Sequence, residues 1–90
     1  MKITFDPAKR DATLESRGLD FADAVEVFAG PVFEFTDDRF DYGETRIVTV
    51  GHLAGRMVVL IWTQRANARH VISMRKANDR EKARFGQRFD

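Results

Sequence analysis

The sequence predicts an α+β domain: an antiparallel four-stranded meander sheet, plus a short N-terminal strand, with two N-terminal helices and one C-terminal helix. Three observations carry this. Phe21, Ala24, Val25 and Phe28 recur at i, i+3, i+4 and i+7, the spacing of one helical face. From Val32 onward the pattern changes to short runs rich in β-branched and aromatic residues. The connections between those runs are short, which permits only antiparallel neighbours. The helices are expected against one face of the sheet. Ninety residues leave room for one core, so residues 1–90 read as a single domain.

The elements follow in order. Residues 2–6 alternate weakly and form a short strand. Asp6 stands as an N-cap with Pro7 in the first helical turn, where a missing N–H costs nothing; the helix runs to about Arg17 and stops at Gly18. Asp20 caps a second helix, ended by Gly30-Pro31. Val32-Phe33-Glu34-Phe35-Thr36 is a strand, and the acidic segment 37–44 a loop. Residues 46–53 form the next strand, and Ala54-Gly55 sits where a tight hairpin turn leads into another over 56–64. The unbroken Val58-Val59-Leu60-Ile61-Trp62 run implies burial on both faces and a central position. A turn over 64–68 precedes a strand over 69–74. Asn78-Asp79-Arg80-Glu81 is a capping box, and Phe85 and Phe89, at i and i+4, dock the last helix on the sheet.

Composition narrows the function. With no Cys there are no disulfides or thiolate metal sites, which fits a reducing, cytoplasmic setting. The N-terminus lacks a signal-peptide stretch, and the longest apolar run, residues 57–62, is far too short to cross a bilayer, so no membrane partner is expected. His52 and His70 lie apart with no metal-binding spacing, so neither a metal nor another cofactor is expected. The overall charge of +1 hides a polarised chain. Residues 1–64 carry seven Lys/Arg against eleven Asp/Glu, a net of −4, whereas residues 65–90 carry eight against three, a net of +5. Such a basic segment offers itself to phosphate or to an acidic partner.

Within that segment, strand alternation puts Arg69, Val71, Ser73 and Arg75 on one face and His70, Ile72, Met74 and Lys76 on the other, the better core face. Arg65 meets Arg69 across the hairpin mouth, so two or three guanidiniums can grip a phosphate. A solvated basic edge paired with Asp37, Asp38, Asp41 and Glu44 is the alternative. RNA cleavage by the 2′-hydroxyl needs a base, a proton donor for the leaving oxygen and cations for the charged intermediate. His70 and His52 titrate near neutrality without special tuning, Glu44 or Asp41 can supply a carboxylate base, and Tyr42 a proton. Arg80, Lys82, Arg84 and Arg88 on the last helix can lie along nucleic acid or form a solvated side.

Ordered segments along nearly the whole chain resemble the BrnT family, RelE-like ribonuclease toxins of BrnT–BrnA type II toxin–antitoxin pairs. They are Phe5-Asp6-Pro7-Ala8-Lys9, Asp20-Phe21, Ala24-Val25-Glu26-Val27-Phe28, Gly43-Glu44-Thr45-Arg46, Val50-Gly51, Gly55-Arg56, Trp62-Thr63-Gln64-Arg65, Val71-Ile72-Ser73-Met74-Arg75-Lys76-Ala77 and Arg80-Glu81. Family members usually carry Asn-Leu and Lys-His-Gly in the first helix, where this chain has Thr13-Leu14 and Ser16-Arg17-Gly18, and often Tyr where it has Phe85.

The resemblance implies a RelE-like fold and a metal-independent endoribonuclease that cleaves RNA and inhibits translation. It also implies neutralisation by a ribbon-helix-helix, BrnA-like antitoxin in a heterotetramer that reaches operator DNA only through the antitoxin. On this reading Arg65, Arg69 and Arg75 bind the scissile phosphate, Lys76 and Arg46 assist, and Glu44 or His70 is the acid–base partner. Arg46, Ser73, Arg80 and Arg84 contact RNA, and Phe33, Phe40 or Phe89 offers the antitoxin an apolar contact. The alternative is a non-catalytic, antitoxin-binding co-repressor or degenerate toxin.

Overall fold

The computed structural model describes residues 2–89. The chain runs β1 (Lys2–Phe5), α1 (Pro7–Arg17), a 3₁₀ turn (Phe21–Asp23) leading into α2 (Ala24–Ala29), β2 (Phe33–Asp37), β3 (Arg46–Leu53), β4 (Arg56–Arg65), β5 (Ala68–Lys76), α3 (Asp79–Gly86) and a closing 3₁₀ turn (Gln87–Phe89). The α+β class holds, and β2 to β5 form the expected antiparallel meander. The sheet as a whole is mixed, in the order β1-β5-β4-β3-β2, because β1 joins the free edge of β5 in parallel. Its position is set by packing: Ile3 and Phe5 join the core, with the Phe5 ring 6.0 Å from that of Phe21.

Local chemistry accounts for the helix ends. Asp6 Oδ1 accepts from the Ala8 N–H at 2.9 Å, and Gly18, at φ 69°, turns its N–H back to Leu14 O. In α3 the capping box closes both ways, Glu81 N–H donating to Asn78 Oδ1 (2.8 Å) and Asn78 N–H to Glu81 Oε1 (3.0 Å). The β3–β4 hairpin turns on Ala54 and Gly55 at φ 52° and 77°, both left-handed as a type I′ turn requires. Helix α1 has no buried residue. It is tied at its ends, by Arg10 gripping Asp20 through two hydrogen bonds of 2.9 and 2.7 Å and by Arg17 Nη1 donating to Met74 O at 3.0 Å.

The helices divide between the faces of the sheet instead of sharing one. Leu19, Phe21, Ala24 and Val27 cover Val58, Leu60, Val71 and Met74 on one side, the α2 face. On the other, the α3 face, Phe85 and Ala77 cover Val48, Val50, Met57 and Val59. Strand β4 is therefore apolar on both faces, as its unbroken run implied. Winding also changes one inward residue. The second helix opens as a 3₁₀ turn, so Phe21, Ala24 and Val27, at threefold spacing, point inward, and Val25 is left 54% exposed. Among the described residues no helix is long and apolar enough to cross a membrane.

Gly51 is where α2 meets β3. A Cβ there would lie 2.7 Å from Val27 Cγ1 and 3.2 Å from Val32 Cγ1. Gly51→Ala is therefore expected to destabilise the domain by about 1–3 kcal/mol, read as a lowered midpoint in thermal or denaturant unfolding.

Candidate active site

The arrangement of charged groups turns on one irregularity. Strands β4 and β5 pair in step from Arg65↔Ala68 to Trp62↔Val71, then slip by one, so that Ile61 opposes Ser73 and Ile72 is left unmatched. This bulge breaks the alternation on which the sequence expectation rested. Arg69, Val71, Met74 and Lys76 lie on the α2 face, while His70, Ser73 and Arg75 lie on the α3 face. The expected row Arg69–Ser73–Arg75 is thus split, and His70, expected on the core side, joins Ser73 and Arg75.

The α3 face holds a groove of about 260 Å³. Val48, Val50, Val59 and Ile61 form its floor, Phe35 and Phe85 one wall, and Arg39 and Arg75 its charged rim. Each rim arginine is clamped by a carboxylate through two bonds: Arg75 by Glu81 at 2.6 and 2.8 Å, Arg39 by Asp37 at 2.8 and 3.0 Å. The Arg39 guanidinium holds the buried Asp37 carboxyl down to about 2, and Arg75 likewise holds Glu81 below its ordinary value. The hydrogen bonds and charge of Glu81 raise Arg75, against burial and, less strongly, the charge of Arg39 across the groove. Phe85 brings no hydroxyl to this wall.

Beyond the groove, at the end of the face that α3 leaves uncovered, Glu44 sits between Arg65 (3.4 Å) and Arg46 (3.7 Å). Arg46 lies over the Tyr42 ring, 3.8 Å from its centroid, with its buried Nε lacking a hydrogen-bond partner. The Tyr42 hydroxyl donates to Asp37 at 3.2 Å, linking this cluster to the groove rim. Thr63 Oγ1 donates to Thr45 O at 2.7 Å and ties the loop to the sheet. His70 shares a 3.0 Å hydrogen bond with Thr4 through Nδ1. Its pKa is depressed, first by burial and then by the charge of Arg65, so the imidazole is neutral at neutral pH.

The remaining candidates fall elsewhere. Lys76 is exposed near Glu26 and Arg56 on the α2 side. Arg69 stacks on Phe28 and Trp62 there. Arg80 and Arg84 are exposed on α3, Arg84 resting 5.1 Å over Phe85. Ser73 also borders a cleft between α1 and the end of β5, with Lys9 and Arg17. Of the aromatic candidates, Phe33 and Phe89 pack partly buried against the α3-side core, leaving Phe40 67% exposed. Arg39 was missed; its signal was a lone cation inside an acidic loop, which reads as a solvated charge. Among the described residues no three His, Asp or Glu side chains gather as a metal-ligand set.

Because the folded state binds a proton at His70 more weakly than the unfolded chain does, His70 lowers stability as pH falls through 6.5 toward its depressed value. His70→Gln is expected to flatten the unfolding midpoint measured across that window. An unchanged slope would remove His70 as its source.

The groove and the cluster beside it lie within the span matched by one family, described as ribonuclease toxin, BrnT, of type II toxin–antitoxin system, over residues 5–81. No curated protein matches the chain. The matched span takes in Arg39, Glu44, Arg46, Arg65, His70, Arg75 and Glu81, and stops before Arg84 and Phe85. On that match the chain belongs to the BrnT family of ribonuclease toxins, whose members act as the toxin of a type II toxin–antitoxin system.

Proposed function

We propose that this chain is a metal-independent endoribonuclease that cuts single-stranded RNA on the α3 face, inhibits translation in the cytoplasm, and is neutralised by a ribbon-helix-helix antitoxin in a heterotetramer bound to operator DNA through the antitoxin. One observation carries the catalytic part: the β5 bulge gathers His70 and Arg75 with Arg39, Arg46 and Arg65 on one sheet face beside an apolar groove. A strand of RNA needs both features, cations for its phosphates and apolar walls for its unstacked bases.

In this reading Arg75 and Arg39 grip the phosphates that flank the groove, and Arg46 and Arg65 stabilise the charge that grows on the scissile phosphate as the 2′-oxygen attacks. Neutral His70 takes the 2′-hydroxyl proton, with Glu44 as the alternative base. The P–O5′ bond then breaks as the proton taken up by the base passes, through water, to the leaving 5′-oxygen, giving a 2′,3′-cyclic phosphate and a 5′-hydroxyl. Glu81 holds Arg75 in place before RNA arrives, so little ordering is needed on binding. Arg80, Arg84 and Ser73 extend the RNA contact along the flanks.

The carboxylate clamped against each rim arginine favours one second reading, a degenerate toxin that binds its antitoxin and leaves RNA intact. Cleavage of defined RNA by the purified chain separates the two. Arg65→Ala is expected to slow cleavage by roughly 10²–10³-fold, as loss of one transition-state donor does. Lys76→Ala, on the opposite face, should stay near the parent rate. Cleavage should persist in EDTA. Intact RNA and unimpaired growth on expression of the folded chain would sink the ribonuclease reading.

A further inference from the structure

On the α2 face, the end of the sheet around Arg69 is built unlike the groove. Its guanidinium lies 4.1 Å from the Phe28 ring centroid and 5.1 Å from that of Trp62, whose own rings meet edge to face at 5.6 Å. Trp62 Nε1 donates to Thr49 Oγ1 at 2.7 Å, which fixes the indole beneath the arginine. Arg10, Arg39, Arg46, Arg65 and Arg75 each pair with a carboxylate; Arg69 pairs with none among the described residues, and its buried Nε has no hydrogen-bond partner. Beside it opens a cavity of about 290 Å³ lined by Ile3, Val25, Phe28, Ala29 and Arg69. Val25, turned outward by the 3₁₀ start of the second helix, is 54% exposed on its rim.

We infer that this α2–β1–β5 surface is a docking site for the antitoxin, which brings an Asp or Glu to Arg69 and an apolar side chain into the adjoining cavity. Charge complementarity selects the occupant: a planar, stacked guanidinium without a carboxylate calls for one from outside. The surroundings select its class. Nucleic acid is held by several cations along its backbone, and here one cation stands in an apolar lining. An arginine and aromatic rings at the centre of an apolar patch are the make-up of a protein-interface hot spot. The surface lies on the face opposite Arg75, so an antitoxin seated here engages the toxin apart from the RNA groove. The inference rests on the toxin reading in requiring an antitoxin, and not on RNA cleavage.

Affinity of the full chain for its cognate antitoxin, measured by calorimetry, tests it. Val25→Asp and Arg69→Glu are each expected to weaken binding by about thirtyfold or more, the scale of a hot-spot loss. Ala29→Arg, at an exposed position, should block the cavity to similar effect. Val25→Asp should keep the parent's circular dichroism, unfolding midpoint and RNA cleavage, and should arrest growth even when the antitoxin is co-expressed. Unchanged antitoxin affinity in all three variants overturns the inference. So does a loss confined to Phe35→Asp or Phe40→Asp, which would seat the antitoxin over the groove or the 38–45 loop, or a loss of RNA affinity in Val25→Asp with antitoxin binding intact. Lost antitoxin binding alongside a parent chain that cleaves no RNA would uphold this surface while removing the ribonuclease reading.

Discussion

The unmatched residue at Ile72 is the constraint on which the rest of the molecule depends. A strand in perfect alternation sends residues two apart to the same side, so Val71 and Met74 could not both face α2. The extra residue lets them, and both are almost completely buried in that core, at 1% and 0% exposure. Removing two such side chains from water is worth several kcal/mol, roughly 1.5–3 for each, far more than the one ladder step the bulge forfeits. The same insertion carries Arg75 under α3, where Glu81 waits. Apolar packing on one face thus decides the polarity of the other.

Electrostatics then act locally more than globally. The acidic first two-thirds and basic last third do not form separate poles, because the loop between β2 and β3 brings Glu44 back to Arg46 and Arg65. Arg75 finds its carboxylate close by in sequence, and Arg39 closer still. The α3 face is therefore lined with guanidiniums already oriented and largely neutralised. A phosphate approaching Arg46, Arg65 or Arg75 competes with Glu44 and Glu81, carboxylates at partly exposed positions, where an ion pair contributes about 0–1 kcal/mol, so exchange is inexpensive there and the fork geometry is retained.

Much of this was legible in the chain. Asp6, Gly18, Asn78 and Glu81 announce helix ends through backbone groups that only local side chains can satisfy, and Val58 to Trp62 announce a central strand through burial on both faces. The groove was not legible as a site, because its facing depends on a one-residue insertion with no chemical signature: Ile72 is as good a strand residue in register as out of it. The parallel pairing of β1 depends on contacts between Phe5 and Phe21 that a four-residue strand does not encode. Arg39 was hidden because a charge in a loop acquires meaning only from what the fold places opposite it.

Helix α1 carries one more consequence. Strand β1 stops pairing at Val71, so the last part of β5 would present bare backbone to solvent, and α1 runs beside it with Arg17 occupying the Met74 carbonyl. A helix without a single buried residue contributes little to the global free energy of folding and can detach as a unit while the sheet stays intact. Each detachment turns a capped margin into an open template for a foreign strand. The ties of this one helix through Arg10 and Arg17 therefore guard the last part of β5 against pairing with another strand.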